Sequence, residues 1–220
     1  MSEYIFREAK ASDIPFLVEV IIESEKSGSD TIGLAKTFNI DEQDLRKYLT
    51  QMLEEDIDGC EFSVSSFLVA EYEGFPVAAS GGWVEGENED NLPSAILKAN
   101  LLSYVLPREC LSQLSNISEI IKDLQIEREP HTLQLEYAYT KPEHQGKCLG
   151  WDLAEKIWEK ARLQDNTVKK SYSQVFENNI IAIKGNQVLG YKTIKRFESK
   201  NPEILNYFPH NIKLLMEKEL

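Results

Sequence analysis

Residues 132–161 place the tightest constraint on how this chain can fold. Thr132 to Thr140 (TLQLEYAYT) alternates and is rich in β-formers, whereas Leu153, Ile157 and Ala161 recur one helical turn apart. Between them runs Tyr139-Thr140-Lys141-Pro142-Glu143-His144-Gln145-Gly146-Lys147-Cys148-Leu149-Gly150, a basic loop with glycines at Gly146 and Gly150. A strand that enters a helix through such a loop aims unpaired backbone N–H groups and the positive end of the helix dipole at one point. Glycine lets phosphate oxygens come close to that backbone. The segment therefore predicts an anion site of pyrophosphate type at the start of the helix.

Composition narrows the classes that remain. With 220 residues and 42% hydrophobic content the chain can bury a full core, and it reads as one domain over residues 1–220. Met1 to Lys10 lacks a basic segment followed by an apolar core, and no apolar run reaches membrane-spanning length, so a cytoplasmic protein without a membrane partner is expected. Cys60, Cys110 and Cys148 are too irregularly spaced for a disulfide framework or a paired metal-ligand pattern, and no metal is expected. His131, His144 and His210 are scattered and read as lone surface histidines. A net charge of -13 leaves little basic surface for nucleic acid. The acidic clusters at Glu54, Glu55, Asp56, Asp58 and Glu61, and at Glu85, Glu87, Glu89 and Asp90, read as solvated surface.

Glu3 to Arg7 predicts a short strand and Ala11 to Glu25 a helix, with Ser12 and Asp13 as capping candidates. Asp41 to Asp56 predicts a second helix, capped by Asp41 and buried through Leu45, Leu49, Met52 and Leu53. Ser66 to Glu71 and Pro76 to Val84 read as a hairpin turning at Gly74. Ser94 to Leu106 and Leu111 to Leu124 are helical, broken at Pro107, and form an insertion of about residues 85–131 before the loop strand. Strands at Ser171 to Phe176, Tyr191 to Phe197 and Ile212 to Lys218, with a helix at Asn179 to Lys184, complete an α/β sandwich with a mixed sheet.

Gln145-Gly146-Lys147-Cys148-Leu149-Gly150 resembles the acyl-CoA loop of the GNAT superfamily of N-acetyltransferases, whose pattern is Gln/Arg-x-x-Gly-x-Gly/Ala; Cys148 stands where the first of those glycines is usual. Asn179-Ile180-Ile181-Ala182 and Leu189-Gly190-Tyr191 are similar, in order and spacing, to the superfamily's Asn-x-x-Ala helix and the Leu-Gly-Phe turn after it. The resemblance covers most of the chain outside the insertion. It implies a mixed, mostly antiparallel central sheet flanked by helices, with acetyl-CoA lying where the loop strand and the strand at Ser171 to Phe176 part. By resemblance, Ala138, Tyr139 and Thr140 would pair with pantetheine, Gln145, Gly146, Lys147, Cys148, Leu149, Gly150 and Trp151 would hold the pyrophosphate, and Asn179 would reach the pantetheine end.

The implied reaction is direct transfer of an acetyl group to an amine in a ternary complex. Glu136 is the candidate general base, with Gln134 on the same face, because a carboxylate desolvated in a cleft can titrate towards neutrality. The tyrosine that many relatives use to protonate the departing thiolate is replaced by Asn186. Another hydroxyl (Tyr137, Tyr172 or Tyr207), unassisted departure, or a protein that binds acyl-CoA without fast chemistry would each account for it. Tyr191 reads as a core residue, and Trp83 and Trp151 as packing. The acceptor is open among small amines, polyamines, antibiotic-like amines and protein amines. An acyl-CoA sensor or a partner-docking module is the alternative, and oligomeric state stays open, a dimer included.

Overall fold

The computed structural model describes residues 3–220. In chain order the elements are β1 (Ile5–Glu8), α1 (Ile14–Glu25), α2 (Gly33–Phe38), α3 (Glu42–Glu55), β2 (Phe67–Tyr72), β3 (Phe75–Val84), α4 (Ser94–Val105), α5 (Arg108–Ile121), β4 (Leu133–Thr140), α6 (Leu149–Gln164), β5 (Lys170–Phe176), α7 (Ile180–Val188), β6 (Lys192–Glu198) and β7 (Ile212–Glu219). One seven-stranded sheet runs β1-β2-β3-β4-β5-β7-β6, antiparallel throughout except between β4 and β5.

Strand alternation sets the layers. Along β2, Phe67 and Val69 join the core shared with α1 and α3, whereas Leu68 and Ala70 join the core shared with α6. The α6 stripe of Leu149, Leu153, Ala154, Ile157 and Ala161 is buried against the sheet, and Leu153 is fully enclosed. Burial of one such leucine is worth roughly 1.5–3 kcal/mol. The helices of the insertion are not an appendage: Leu101, Leu102, Leu106 and Cys110 belong to the same core as α1 and α3.

Four details depart from the pattern read in the chain. The α1 helix begins at Ile14, preceded by a 3-10 turn at Ala11–Asp13. Asp13 does not cap it; its carboxylate takes two bonds from Arg7, at 2.6 and 3.0 Å, and one from the Lys10 N–H at 2.9 Å. Burial opposes ionisation of Asp13, but those hydrogen bonds outweigh it and hold its pKa below the usual carboxylate range. The α2 helix was not expected, since six residues carry too little period to register. Glu61 and Glu85 are not solvated surface; they are 1% and 3% exposed and bound from several sides. Nor is His131 alone: its Nδ1 lies 2.9 Å from Glu87 and 3.5 Å from Asp165, three residues distant in sequence brought to one surface cluster.

The β3–β4 ladder carries the irregularity on which the site depends. Ser80 pairs with Ala138 and Gly81 with Glu136, so Tyr137 is an extra, unpaired residue at φ +53°. Gly81 permits it: a Cβ there would sit 3.1 Å from the Glu136 carbonyl oxygen and 3.1 Å from the Phe67 ring. The bulge turns Glu136 and Tyr137 towards the same face of the sheet, that of α1 and α4.

Candidate functional site

β4 and β5 pair only at Leu133 with Ser171 and Gln134 with Tyr172. Beyond that point β5 stays with β7, and β4 from Leu135 to Thr140 has β3 on one edge and no strand on the other. The edge opens a slot whose outer end lies at the start of α6, where Gly146 takes φ +74° and Cys148 φ +60°. The N–H groups of Gly146, Lys147, Cys148, Leu149 and Gly150 donate to no acceptor among the described residues, whereas Gln145 before them and Trp151 after them donate normally. Nothing lies within 4 Å of where a Cβ on Gly146 or Gly150 would stand, so the cradle is open. Successive N–H groups without a protein acceptor at a helix N-terminus are the arrangement that suits an anion.

The other expected contact residues are placed with less freedom. The Ala138 carbonyl already accepts from Ser24 Oγ at 3.2 Å, and the Thr140 carbonyl from Gln145 Nε2 at 3.2 Å. Asn179 caps α7, its Oδ1 accepting from the Ala182 N–H at 3.2 Å, so only its amide N–H groups remain to face the slot. Lys147 and Cys148 are exposed, and Trp151 Nε1 donates to Glu155 at 2.9 Å. Asn186 is buried and donates to Ser173 Oγ at 3.0 Å, while Tyr191 is a core residue joined to Ser171 and Trp158.

On the α1 face, the bulge is surrounded by charge. Arg128 donates to Glu136 at 2.9 Å and reaches Glu61 at 3.4 Å, Lys98 donates to Glu61 at 2.8 Å, and the Arg128 guanidinium stacks 5.0 Å from the centre of the Trp83 ring. Burial disfavours the Glu61 carboxylate, yet Lys98 and Arg128 bring its pKa down to about 2. Its Oε2 and the Arg128 Nε are enclosed without a protein partner. Glu136 is thus ion-paired to Arg128 and largely enclosed. Gln134 is 1% exposed, its Nε2 held by Thr132, and does not reach the slot.

A second carboxylate faces the bulge and went unread. Glu25, the last residue of α1, accepts from the Tyr137 hydroxyl at 3.2 Å and from the Leu34 N–H at 3.1 Å. Burial raises its pKa above the usual carboxylate range, against the pull of Lys98 and Lys213. Burial, with Glu25 alongside, also pushes the Tyr137 phenol well up, so Tyr137 acts as a hydrogen-bond donor. Lys213 Nζ lies 5.4 Å from the centre of the Phe176 ring, and burial lowers its pKa.

No protein-family model matches the sequence, and no curated protein matches it significantly. Solved structures do. An N-acetyltransferase from Staphylococcus aureus superposes at TM-score 0.64 and 14% identity over 97% of this chain and 100% of that one. The fold is that of the GNAT acetyltransferases. A Drosophila melanogaster polyamine N-acetyltransferase matches at TM-score 0.57 and 14% identity over 99% of this chain and 100% of its own. Salmonella typhimurium yncA, solved with its cofactor acetyl-CoA, matches at TM-score 0.54 and 14% identity over 100% and 95%. The insertion of residues 85–131 supplies Lys98 and Arg128 to the charged cluster beside the β4 bulge.

Proposed function

We propose that the protein is an N-acetyltransferase that passes the acetyl group of acetyl-CoA to an amine bound in the same complex. The observation that carries this reading is the run of free N–H groups from Gly146 to Gly150 at the mouth of the β4–β5 slot. A pyrophosphate cradle joined to a slot with an unpaired strand edge suits a ligand made of a diphosphate and an extended amide chain. The acetyl-CoA in yncA and the N-acetyltransferase neighbours support it at the level of fold. Gln145 to Trp151 would hold the diphosphate, Ala138, Tyr139 and Thr140 would line the amide chain, and Asn179 would offer its amide N–H groups. The thioester supplies an activated acetyl carbon.

The protein's own part is to take a proton and hold charge. Glu25 is the general base of this reading, because it faces the bulge and burial raises its pKa, the direction that favours taking a proton from an ammonium. Tyr137 donates to it and fixes its orientation. Glu136, clamped by Arg128, ranks second as base. Asn186 offers no acid, being spent on Ser173; a thiol of reference pKa near ~8.5 can leave without one. Calorimetric titration with acetyl-CoA, against ATP and NAD as controls, tests the cradle. Selective binding followed by thiol release with an amine is the expected result; equal binding of all three, or of none, would refute the reading.

A further inference from the structure

Glu87, His131 and Asp165 belong neither to the cradle nor to the charged cluster beside the bulge, and acetyl transfer makes no use of them. They come from three places in the chain. Glu87 follows β3 and His131 precedes β4, so they stand at the two ends of the insertion. There the Glu85 N–H donates to the Thr132 carbonyl and the His131 N–H to the Glu85 carbonyl, both at 2.9 Å. Asp165 ends α6, its N–H donating to the Ala161 carbonyl at 2.9 Å.

The side chains converge on one point. His131 Nδ1 lies 2.9 Å from Glu87 Oε1 and 3.5 Å from Asp165 Oδ2, and one ligand atom from each residue falls within 4.8 Å of the other two. Ligands held at 2.0–2.2 Å by a tetrahedral zinc ion stand about 3.3–3.6 Å from one another, so the three atoms are already near the spacing that a metal imposes. An ion pair explains one carboxylate at this nitrogen better than two. Nδ1 carries at most one hydrogen, and a second carboxylate brings like-charge repulsion that a singly charged imidazolium offsets only in part. A divalent ion would satisfy all three.

The surroundings fit such an ion. Asp165 is oriented from outside the cluster, Oδ1 accepting from the Thr167 N–H and Oδ2 from the Thr167 hydroxyl, both at 2.8 Å, and each oxygen keeps a lone pair. Glu87 also lines an open recess of about 650 Å³ with Asp56 and Asp58, which leaves room for water to complete a coordination shell.

We propose that Glu87, His131 and Asp165 bind one divalent first-row transition ion of zinc type, which staples both ends of the insertion to the end of α6. One imidazole nitrogen with two carboxylates favours such an ion over calcium or magnesium, which take oxygen ligands throughout. The ion thereby fixes the base of the segment that carries Lys98 and Arg128. The site stands or falls independently of the transferase reading.

The test is calorimetric titration of untagged, chelator-treated protein with zinc, beside calcium and magnesium, together with melting curves over a range of zinc concentrations. The expected result is one zinc per chain and a melting midpoint that rises with zinc, with no comparable response to the other two ions. Glu87→Gln, Asp165→Asn and His131→Asn should each weaken zinc binding about tenfold or more and lose the rise in midpoint. Asparagine tolerates the left-handed backbone of His131, φ +57°, so that variant keeps the loop. His210→Asn, at a histidine outside the cluster, should leave zinc binding intact. No zinc binding by folded protein, binding that all three cluster variants leave unchanged, or an equal response to calcium and magnesium would overturn the proposal. So would a lower midpoint for metal-free Glu87→Gln with neither it nor wild type responding to zinc, the mark of an ion pair only.

Discussion

On its α6 face β4 presents Leu133 and Leu135 to an apolar layer, and that face ends at backbone N–H groups without a protein acceptor. On its α1 face the same strand presents Gln134, Glu136 and Tyr137 to ions and hydrogen bonds from side chains of several separate stretches of chain. One face ends in open backbone; the other is lined by placed, enclosed charge. Backbone recognition tolerates change in side chains so long as φ is allowed. Recognition by charge does not, because each buried ion removed leaves another exposed to a low-dielectric surrounding.

The hardest test of that contrast is Glu61→Ala. It leaves Lys98 without its carboxylate and Arg128 with only Glu136. Removing one partner of a buried pair costs roughly 3–5 kcal/mol, so urea denaturation should show a loss in that range. A loss under about 1 kcal/mol would mean that the network is solvated and that the two faces differ less than drawn.

Glu25→Gln is next in size. The amide oxygen can keep the bond from the Leu34 N–H and its NH2 can donate to the Tyr137 hydroxyl, but it cannot take a proton, so transfer should slow by about 10²–10⁴-fold with acetyl-CoA affinity unchanged. Because burial raises the Glu25 pKa, the wild-type rate should fall as pH drops through that raised value, and the variant should lose that limb. Stability carries the matching sign. The contribution of Glu25 is present below the ordinary carboxylate pKa and is lost as pH rises through the raised one, so the variant should gain on wild type in melting temperature as pH rises. If Glu136→Gln abolishes the acid limb and Glu25→Gln does not, the base is Glu136.

These two faces were not equally legible before the structure. The cradle could be read because its parts are consecutive: a strand, glycines and a helix within about thirty residues carry their own periodicities. The parting of β4 and β5 followed from the resemblance alone. Glu25, Glu61, Lys98 and Arg128 meet only in three dimensions, and Glu61 lay hidden in an acidic run that looks like any solvated loop. The bulge left one trace, Gly81 inside a strand-like run, and such a glycine is a recognised sign of a bulge or a close backbone approach. Asn179 was read as a contact residue when its position at a helix start equally fits a cap.

Gly146→Glu probes the backbone side directly. It puts a side chain at φ +74°, which should cost stability roughly 1–2 kcal/mol from strain although nothing lies within 4 Å of the new Cβ, and it puts a carboxylate beside the free N–H groups, so like-charge repulsion should weaken acetyl-CoA binding. Unchanged affinity would remove the cradle from the site.

The smallest effects are expected at Cys148, and they separate the faces most finely. Its left-handed backbone, φ +60° and ψ +15°, costs a residue with a side chain roughly 1–2 kcal/mol. Cys148→Gly relieves that strain but adds about 0.5–1 kcal/mol of conformational entropy in the unfolded chain, so stability should move by less than about 1 kcal/mol and acetyl-CoA affinity should hold or tighten slightly. Cys148→Val keeps apolar character but makes the left-handed conformation a true outlier, and should weaken both stability and acetyl-CoA binding. If glycine and valine behave alike, the loop does not depend on its backbone conformation there, and side chains matter on the α6 face as they do on the other.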